Sequence, residues 1–276
     1  MIIGVPKEIK LQEHRIGLTP DSVKVLAKKG HEVLVQSDGG FEAGFTNEDY
    51  KNAGAQIIDT AEEIFKKSEI IVKVKEPQMN EVKMIRENQI IYTYLHLAAA
   101  KELTHGLIKS KSICIAYETV TDDNGRLPLL APMSAVAGRM SIQAGAHSLE
   151  KNQKGRGLLL GGAPGVDPAN VVILGGGVVG ENAAIIATGM RSKVYIVDKS
   201  KDRLKQLHEL FGDKIIAADS SKTDLKKLVS ECDLLIGGVL IPGAEAPKLV
   251  SKEMIKSMKR GSVVVDVAID QGGCIE

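Results

Sequence analysis

Apolar runs of strand length alternate with segments of helical period along most of the chain. In the first part of the chain, the pattern predicts strands at residues 2–6, 31–36, 70–75, 89–95 and 112–118. A second series is predicted at residues 171–174, 193–197, 214–217, 233–237 and 262–267. Alternation of this kind favours parallel sheets covered by helices, which is an α/β fold.

Helix start signals follow several of these strands. They are Thr19 before Pro20, Thr46 with Asp49 three residues on, and Thr60 with Glu63 as a capping box. Residues 132–152 carry Ala and Met at helical spacing and predict a long helix. The expected fold is therefore two parallel-sheet Rossmann-like domains joined by a long helix, with domains at residues 1–130 and 131–276.

Composition narrows the possible functions. The 36 Lys and Arg nearly balance the 35 Asp and Glu, which argues against a nucleic-acid partner. The short apolar start of the chain runs directly into Lys7 and Glu8, which is not the pattern of a signal peptide, and residues 171–190 contain five glycines. We therefore expect a cytoplasmic protein without a membrane span. Three cysteines without CxxC spacing are expected to be reduced thiols, with no metal site.

A glycine-rich turn follows the strand at residues 171–174 and matches G-x-G-x-x-G. Gly175 permits a tight turn, Gly177 lets the backbone approach a pyrophosphate, and Gly180 lets the helix pack on its strand. Asp198 ends the next strand 18 residues beyond Gly180, where a carboxylate can accept hydrogen bonds from ribose hydroxyls and repel a 2′-phosphate. NAD is therefore favoured over NADP, although Arg203 nearby could serve the phosphorylated cofactor.

Four polar residues lie at the predicted carboxyl ends of strands, where ligands gather in open parallel sheets. Lys75 and His96 follow two strands of the first series, Arg15 lies in the loop after the first strand, and Asp270 follows residues 262–267. Taken singly, Lys75 and Arg15 suit surface charges and His96 a packing role. Together they suit a small amino or keto acid, since Arg and Lys bind a carboxylate and His exchanges protons near neutral pH.

The chain resembles the alanine dehydrogenase family from end to end. The resemblance is carried by IGVPKEIK, EHRIGLTP, VKVKEP, YLHLA, LLAPMSAVAGRMS, LGGGVVG, VLIPGAEAPKLV and VVVDVAIDQGG. It implies NAD-dependent, reversible deamination of L-alanine to pyruvate and ammonia by a hexamer. One departure is Ala135, where many members have Glu; the adjacent Ser134 is kept.

The same resemblance implies roles for individual residues. Arg15 and Lys75 would hold the substrate carboxylate, and His96 and Asp270 would be the catalytic pair. The implied cofactor contacts are Ser134, Gly177, Val178, Val179, Asp198, Arg203, Ser220, Val239, Leu240, Val267, Ala268, Ile269 and Asp270, beside Gly175 and Gly180 of the glycine turn.

Two alternatives stay open at this point. The NAD-binding subunit of proton-translocating transhydrogenase shares the fold, but its counterpart of VKVKEP resembles V-K-V-N-A-P and it lacks the histidine of YLHLA. The family also normally continues beyond the position of Glu276. We therefore expect a C-terminally truncated chain, lacking the last strand of its second sheet and the returning segment, which would be inactive alone or a non-catalytic remnant that still binds nucleotide or other subunits.

Overall fold

The protein consists of two α/β units. Its structure is a computed structural model that describes residues 1–239, 241 and 245–276, except for the side chain of Asp270. The units are Met1–Leu127 and Pro128–Glu276. Each has its own parallel sheet with helices between the strands, which confirms the expected Rossmann-like fold class.

The first unit contains a six-stranded sheet in its described residues, in the order β3-β2-β1-β4-β5-β6. The strands are β1 (Ile2–Val5), β2 (Glu32–Gln36), β3 (Gln56–Ile58), β4 (Ile70–Val72), β5 (Ile90–Thr93) and β6 (Ile113–Ala116). The helices are α1 (Pro20–Lys28), α2 (Asn47–Asn52), α3 (Ala61–Lys67), α4 (Met79–Val82) and α5 (Lys101–Ser110).

The second unit contains a five-stranded sheet in the order β11-β10-β7-β8-β9, as far as it is described. Its strands are β7 (Asn170–Leu174), β8 (Lys193–Asp198), β9 (Ile215–Asp219), β10 (Leu234–Gly237) and β11 (Val263–Asp266). Its helices are α6 (Ala131–Ser148), α7 (Val178–Gly189), α8 (Lys201–Phe211), α9 (Leu225–Glu231) and α10 (Lys252–Lys256).

The central strands of each sheet are buried on both faces, which explains why they are continuous apolar runs. In β7, Val171 and Ile173 join one core cluster while Val172 and Leu174 join the cluster on the opposite face. Long helix α6 belongs to the second unit and approaches α7 closely, because a Cβ on Gly138 would lie 2.2 Å from the Val179 carbonyl oxygen.

Most helix starts agree with the predicted signals. Thr19 caps α1, and Thr46 and Asp49 form the expected capping box of α2. The capping box predicted for α3 is only half formed: Thr60 accepts the Glu63 amide, but the Glu63 carboxylate accepts a hydrogen bond from Lys67 at 3.1 Å instead. Lys67, one turn further along the helix, thus binds the carboxylate that would have completed the capping box.

Three predicted strands, β4, β5 and β6, are three residues shorter than expected, and one strand was missed. Strand β4 ends at Val72 rather than Lys75, and the chain then bends at residues 74–75. Strand β6 ends at Ala116 and continues as the 3-10 turn Tyr117–Thr119. Strand β3 has only three residues, one of them Gln56, and is too short to give a period-two signal.

Candidate active site

The strand order of the first sheet reverses between β1 and β4, so a crevice forms beyond their carboxyl ends. Glu8 lies there, three residues after β1. Its Oε2 atom accepts a hydrogen bond from Lys73 Nζ at 3.0 Å, and its Oε1 atom accepts the amide hydrogens of Val74 at 2.6 Å and Lys75 at 3.3 Å. The buried Glu8 carboxylate thus pairs with the Lys73 ammonium and also fixes the backbone bend that follows β4.

Lys73 lies between two carboxylates. Its Nζ atom also donates to Glu81 at 2.8 Å, and its side chain is fully buried while those of Glu8 and Glu81 are 2% exposed. Burial raises the pKa of the Glu8 carboxyl above its ordinary value, although the Lys73 charge opposes this shift. Removing a partner from such a cluster would leave a charge in a dry interior.

Lys75 does not close a strand, which corrects the position predicted from the sequence. In an extended strand, residues 73 and 75 would point to the same face. The bend separates them, so that Lys73 is buried and Lys75 is half-buried. Besides the Glu8 contact to its amide, the Lys75 carbonyl oxygen accepts a hydrogen bond from Thr93 Oγ1 at 2.9 Å.

Arg15 is held by Glu13 in a two-point ion pair. Its Nε and terminal nitrogen donate to the two carboxylate oxygens at 2.8 and 2.5 Å. The hydrogen bond from Arg15 lowers the pKa of Glu13, and the charge of Lys75 contributes further to this lowering. Arg15 and Lys75 therefore act on the same carboxylate, which places both cations in one region of the first unit.

His96 lies three residues beyond the end of β5, at the start of the 3-10 turn Leu97–Ala99. Its φ of 49° is in the left-handed region, which is costly for a residue with a Cβ. The Glu118 carboxylate accepts the His96 amide hydrogen at 2.6 Å and the Leu95 amide hydrogen at 3.1 Å. The His96 ring stacks on Tyr94, with centroids 6.0 Å apart and planes 11° apart.

The first unit therefore brings together three residues predicted from the sequence, Arg15, Lys75 and His96, at the carboxyl ends of β1, β4 and β5. Tyr94 lies near two of them, since its ring stacks on His96 and the Arg15 charge acts on its hydroxyl. Sequence reasoning missed the acidic residues that hold this group, namely Glu8, Glu13, Glu81 and Glu118, and it also missed Lys73. A usable signal was present for two of them, because Glu8 and Glu118 follow β1 and β6 within three residues.

In the second unit, the sheet order reverses between β7 and β10, and the glycine turn lies at that point. Gly175 has a φ of 93°, and a Cβ on it would lie 3.0 Å from Val239 Cγ2. A Cβ on Gly180 would lie 1.9 Å from the Gly175 carbonyl oxygen. At Gly177, in contrast, no atom lies within 4 Å of the Cβ position, so the turn leaves open space before α7.

Asp198 ends β8 beside this turn. Its Oδ2 atom accepts the Gly176 amide hydrogen at 2.6 Å, and its Oδ1 atom accepts the Ser200 amide hydrogen at 2.8 Å. The Ser220 amide donates to the Asp198 carbonyl oxygen at 3.0 Å, which brings the end of β9 to the same edge. Arg203 also reaches the turn, where its Nε donates to the Gly176 carbonyl oxygen at 2.6 Å.

The remaining candidates occupy several elements of the second unit. Val178 and Val179 form the first turn of α7, Ser134 lies in α6, and Val267, Ala268 and Ile269 lie in the 3-10 turn Val267–Gln271. Asp266 caps that turn by accepting the Ala268 amide hydrogen at 3.1 Å. Leu240 lies outside the described residues, and of Asp270 only the backbone, within the same turn, is described.

The residues present fit a dinucleotide. Helix α7 has 12 residues and begins at Val178, and its N-cap Gly177 has no capping side chain, so its first amides face the open space beyond the turn. Such a helix N-terminus favours a phosphate, and Asp198 at the end of the adjacent strand is suited to ribose hydroxyls. Within the part of the chain that the structure describes, no group of His, Cys, Asp and Glu side chains could hold a metal ion.

The fold and these sites define a two-domain α/β protein with a polar cluster on one sheet and a dinucleotide turn on the other. The family model for the N-terminal domain of alanine dehydrogenase/PNT matches residues 4–137, and the model for its C-terminal domain matches residues 141–276. The chain belongs to the alanine dehydrogenase/PNT family. Membership implies a nicotinamide nucleotide as cofactor.

Individual relatives agree with this assignment. An alanine dehydrogenase of Methanococcus maripaludis is 54% identical over 276 residues, which is the whole chain and 74% of that relative. A solved L-alanine dehydrogenase is 51% identical with a TM-score of 0.90, over the whole chain and 76% of that structure. A transhydrogenase from Sinorhizobium meliloti is 25% identical with a TM-score of 0.83, over the whole chain and 81% of that structure.

Among the described residues, no helix is both long enough and apolar enough to cross a membrane.

Proposed function

We propose that the protein catalyses the reversible, NAD-dependent oxidative deamination of L-alanine to pyruvate and ammonia. The observation that carries the proposal is the cluster of Arg15, Lys75 and His96 at the carboxyl edge of the first sheet. Its chemistry suits a small amino acid, and alanine dehydrogenases about 50% identical to this chain cover its full length. In this proposal residues 1–130 form the substrate domain and residues 131–276 the NAD-binding domain.

Arg15 and Lys75 hold the substrate carboxylate. The guanidinium of Arg15 offers a planar fork, and the Lys75 ammonium offers a point charge. Both are oriented before substrate arrives, Arg15 by the Glu13 carboxylate and the Lys75 backbone by Glu8. Such orientation reduces the entropy lost on binding and fixes where the substrate Cα lies.

His96 exchanges the protons of the hydrolytic steps, as water adds to the imine carbon and ammonia leaves. Glu118 fixes its backbone, and stacking on Tyr94 restrains its ring. Asp270 orients the attacking water or offsets the positive charge on the substrate nitrogen. When NAD is bound, it supplies the chemistry of hydride acceptance from the substrate Cα.

The glycine turn and its neighbours hold the cofactor. Gly175, Gly177, Gly180, Val178 and Val179 surround the pyrophosphate at the start of α7. Asp198 accepts hydrogen bonds from the ribose and disfavours a 2′-phosphate, which selects NAD. The other proposed contacts are Ser134, Arg203, Ser220, Val239, Leu240, Val267, Ala268, Ile269 and Asp270. A cytoplasmic hexamer is part of the same proposal.

A transhydrogenase-like NAD(H)-binding subunit is the second candidate, favoured by the likeness at 25% identity. A subunit that only binds nucleotide needs no carboxylate-binding cations beside a histidine. This chain has them, and their supporting carboxylates are in place. The polar cluster of the first unit therefore favours the dehydrogenase.

The test is to assay the protein that carries this chain for NADH formation from alanine and for pyruvate reduction with NADH and ammonia. We expect His96→Ala to lower kcat roughly 10²- to 10⁴-fold, the usual contribution of a general acid or base. The matched control is His105→Ala, since His105 is exposed on α5. Equal activity in the His96 and His105 variants would reject the role of His96, and binding of NADH without alanine turnover would favour the second candidate.

A further inference from the structure

The Arg203 side chain is engaged at all three of its nitrogens. Nε donates to the Gly176 carbonyl oxygen at 2.6 Å, one terminal nitrogen donates to Gln206 Oε1 at 3.0 Å, and the other pairs with the Glu181 carboxylate. Glu181 lies in the first turn of α7, and Arg203 lies in the first turn of α8. The ion pair therefore ties the two helices together directly beside the glycine turn.

Arg203 also lies where the two nicotinamide cofactors differ. A Cβ on Gly176 would lie 3.3 Å from Asp198 Oδ2 and 3.5 Å from Arg203 Cγ, so both side chains flank the same glycine. In dinucleotide folds, an arginine near the ribose end can accommodate a 2′-phosphate. Arg203, which is suited to binding NADP, thus lies next to Asp198, whose carboxylate disfavours NADP.

We infer that Glu181 is a specificity-determining residue that holds Arg203 away from a 2′-phosphate, so that two carboxylates rather than one enforce the preference for NAD. This inference rests on the proposed cofactor site. The Glu181 carboxylate satisfies the terminal nitrogen that a phosphate would need, and its own charge would repel the phosphate. Glu181 acts through Arg203 and is in that sense a positioning residue.

The sum of the local charges predicts that the carboxylates of Asp198 and Glu181 act together. Asp198, Glu181 and Arg203 sum to −1, and neutralising either carboxylate brings the sum to zero. Neutralising both leaves +1 and releases the one terminal nitrogen of Arg203 that Glu181 holds, which can then donate a charge-assisted hydrogen bond to a phosphate. Asp198→Asn alone should therefore give only part of the available gain in affinity for a 2′-phosphate.

The experiment measures binding by calorimetry at low ionic strength with two probes, 5′-AMP and adenosine 2′,5′-bisphosphate. The variants are Glu181→Gln, Asp198→Asn, the double variant, and the double variant with Arg203→Gln. The matched control is Glu209→Gln, which removes an exposed carboxylate paired with Lys205 on α8 at 3.9 Å. The readout is the ratio of the two Kd values, which does not depend on turnover.

We expect Glu181→Gln in the Asp198→Asn background to shift this ratio on the order of tenfold toward the bisphosphate, the size of one charge-assisted hydrogen bond. Arg203→Gln should abolish the shift, and Glu209→Gln should leave the ratio within about twofold of wild type. A ratio unchanged by Glu181→Gln in both backgrounds, with 5′-AMP still bound, would overturn this inference alone. A wild-type protein that does not bind 5′-AMP would overturn the proposed cofactor site and this inference with it.

Discussion

The carboxylate of Glu118 accepts the backbone amide hydrogen of His96 at 2.6 Å, across 22 residues of sequence. Glu118 is buried in the 3-10 turn after β6, while His96 follows the neighbouring strand β5 in a left-handed conformation. The strained backbone of the proposed catalytic histidine is thus stabilised by a charged group from the adjacent connection. Strain of this kind persists only where the surroundings hold it.

Removing the Glu118 carboxylate should therefore lower turnover without weakening cofactor binding. We expect Glu118→Ala to reduce kcat about 10- to 100-fold, because a displacement of about 1 Å at a catalytic group can cost that much. Glu118→Gln should lie between Ala and wild type, since its amide oxygen can still accept one backbone hydrogen. Steady-state kinetics with NADH binding measured separately checks this, and Glu102→Ala, on the exposed face of α5, is the control. A normal kcat in Glu118→Ala would contradict the positioning role.

The left-handed backbone of His96 should cost stability that another residue can recover. Asn tolerates this conformation better than His, so His96→Asn should raise the free energy of unfolding by about 0.5–1 kcal/mol while activity is lost. Lys111 has a φ of 53° at the opposite end of the sheet. Lys111→Asn should therefore give a similar gain with full activity. Urea unfolding of the wild type and the two variants measures these free energies, and a destabilised His96→Asn variant would refute the strain argument.

The buried cluster around Lys73 predicts a large and specific loss of stability. Lys73→Met leaves the carboxylates of Glu8 and Glu81 without their shared cation, which should cost about 3–5 kcal/mol. Lys67→Met removes an exposed partner of Glu63 at 3.1 Å and should cost less than about 1 kcal/mol. Denaturant titration at neutral pH compares the two. Equal losses would show that burial adds nothing to the Lys73 pairings.

Two glycines of the dinucleotide turn should respond differently to the same substitution. Gly180→Ala forces a Cβ against the Gly175 carbonyl oxygen and should lower stability by more than about 2 kcal/mol. Gly177→Ala meets no protein atom and should cost less than about 1 kcal/mol. Its methyl group would nevertheless occupy the space left for the pyrophosphate, so NADH affinity should fall at least about tenfold. Thermal unfolding and fluorescence titration of NADH test both, and unchanged affinity in Gly177→Ala would contradict the proposed cradle.

The thiols should differ in reactivity. Burial raises the pKa of both Cys232 and Cys274 to about 12, so at pH 8 only about one thiol in ten thousand is the reactive thiolate. Cys114 is half-buried. Iodoacetamide should therefore label Cys114 first in the native protein, and Cys232 and Cys274 only after unfolding, as judged by mass spectrometry. Rapid native labelling of Cys232 would contradict its burial.

Sequence periodicity predicts most of the fold because parallel strands covered on both faces are continuous apolar runs. Each strand predicted in this way has a counterpart within the described residues, and helix α6 begins within one residue of its predicted start. The ends of elements are less predictable. Whether β4 stops at Val72 or continues to Lys75 depends on Glu8, which is far away in sequence and holds the bend.

The residues of the candidate site also differ in how far the sequence predicts them. Arg15, Lys75 and His96 can be proposed from the sequence, because ligands gather beyond strand ends and these side chains suit acids. Lys73, a third cation of the same region, was missed. Glu13 and Glu81 could not be predicted, because acidic residues are exposed by default. Glu8 and Glu118 were missed although each follows a strand within three residues. Glu8, Lys73 and Glu81 are buried only because each supplies the partner of another, and that reciprocity appears only once three separate elements have been brought together.

Carboxylates help to fasten the loops that follow strands in both units. Glu118, Asp198 and Asp266 each accept amide hydrogens from chain that lies beyond a strand. We expect a single substitution at one of these acids to release a loop while the neighbouring strands stay paired. Single codon changes at these acids can therefore vary the loops that carry function while the sheets that support them persist, which is the separation of scaffold and recognition on which evolvability depends.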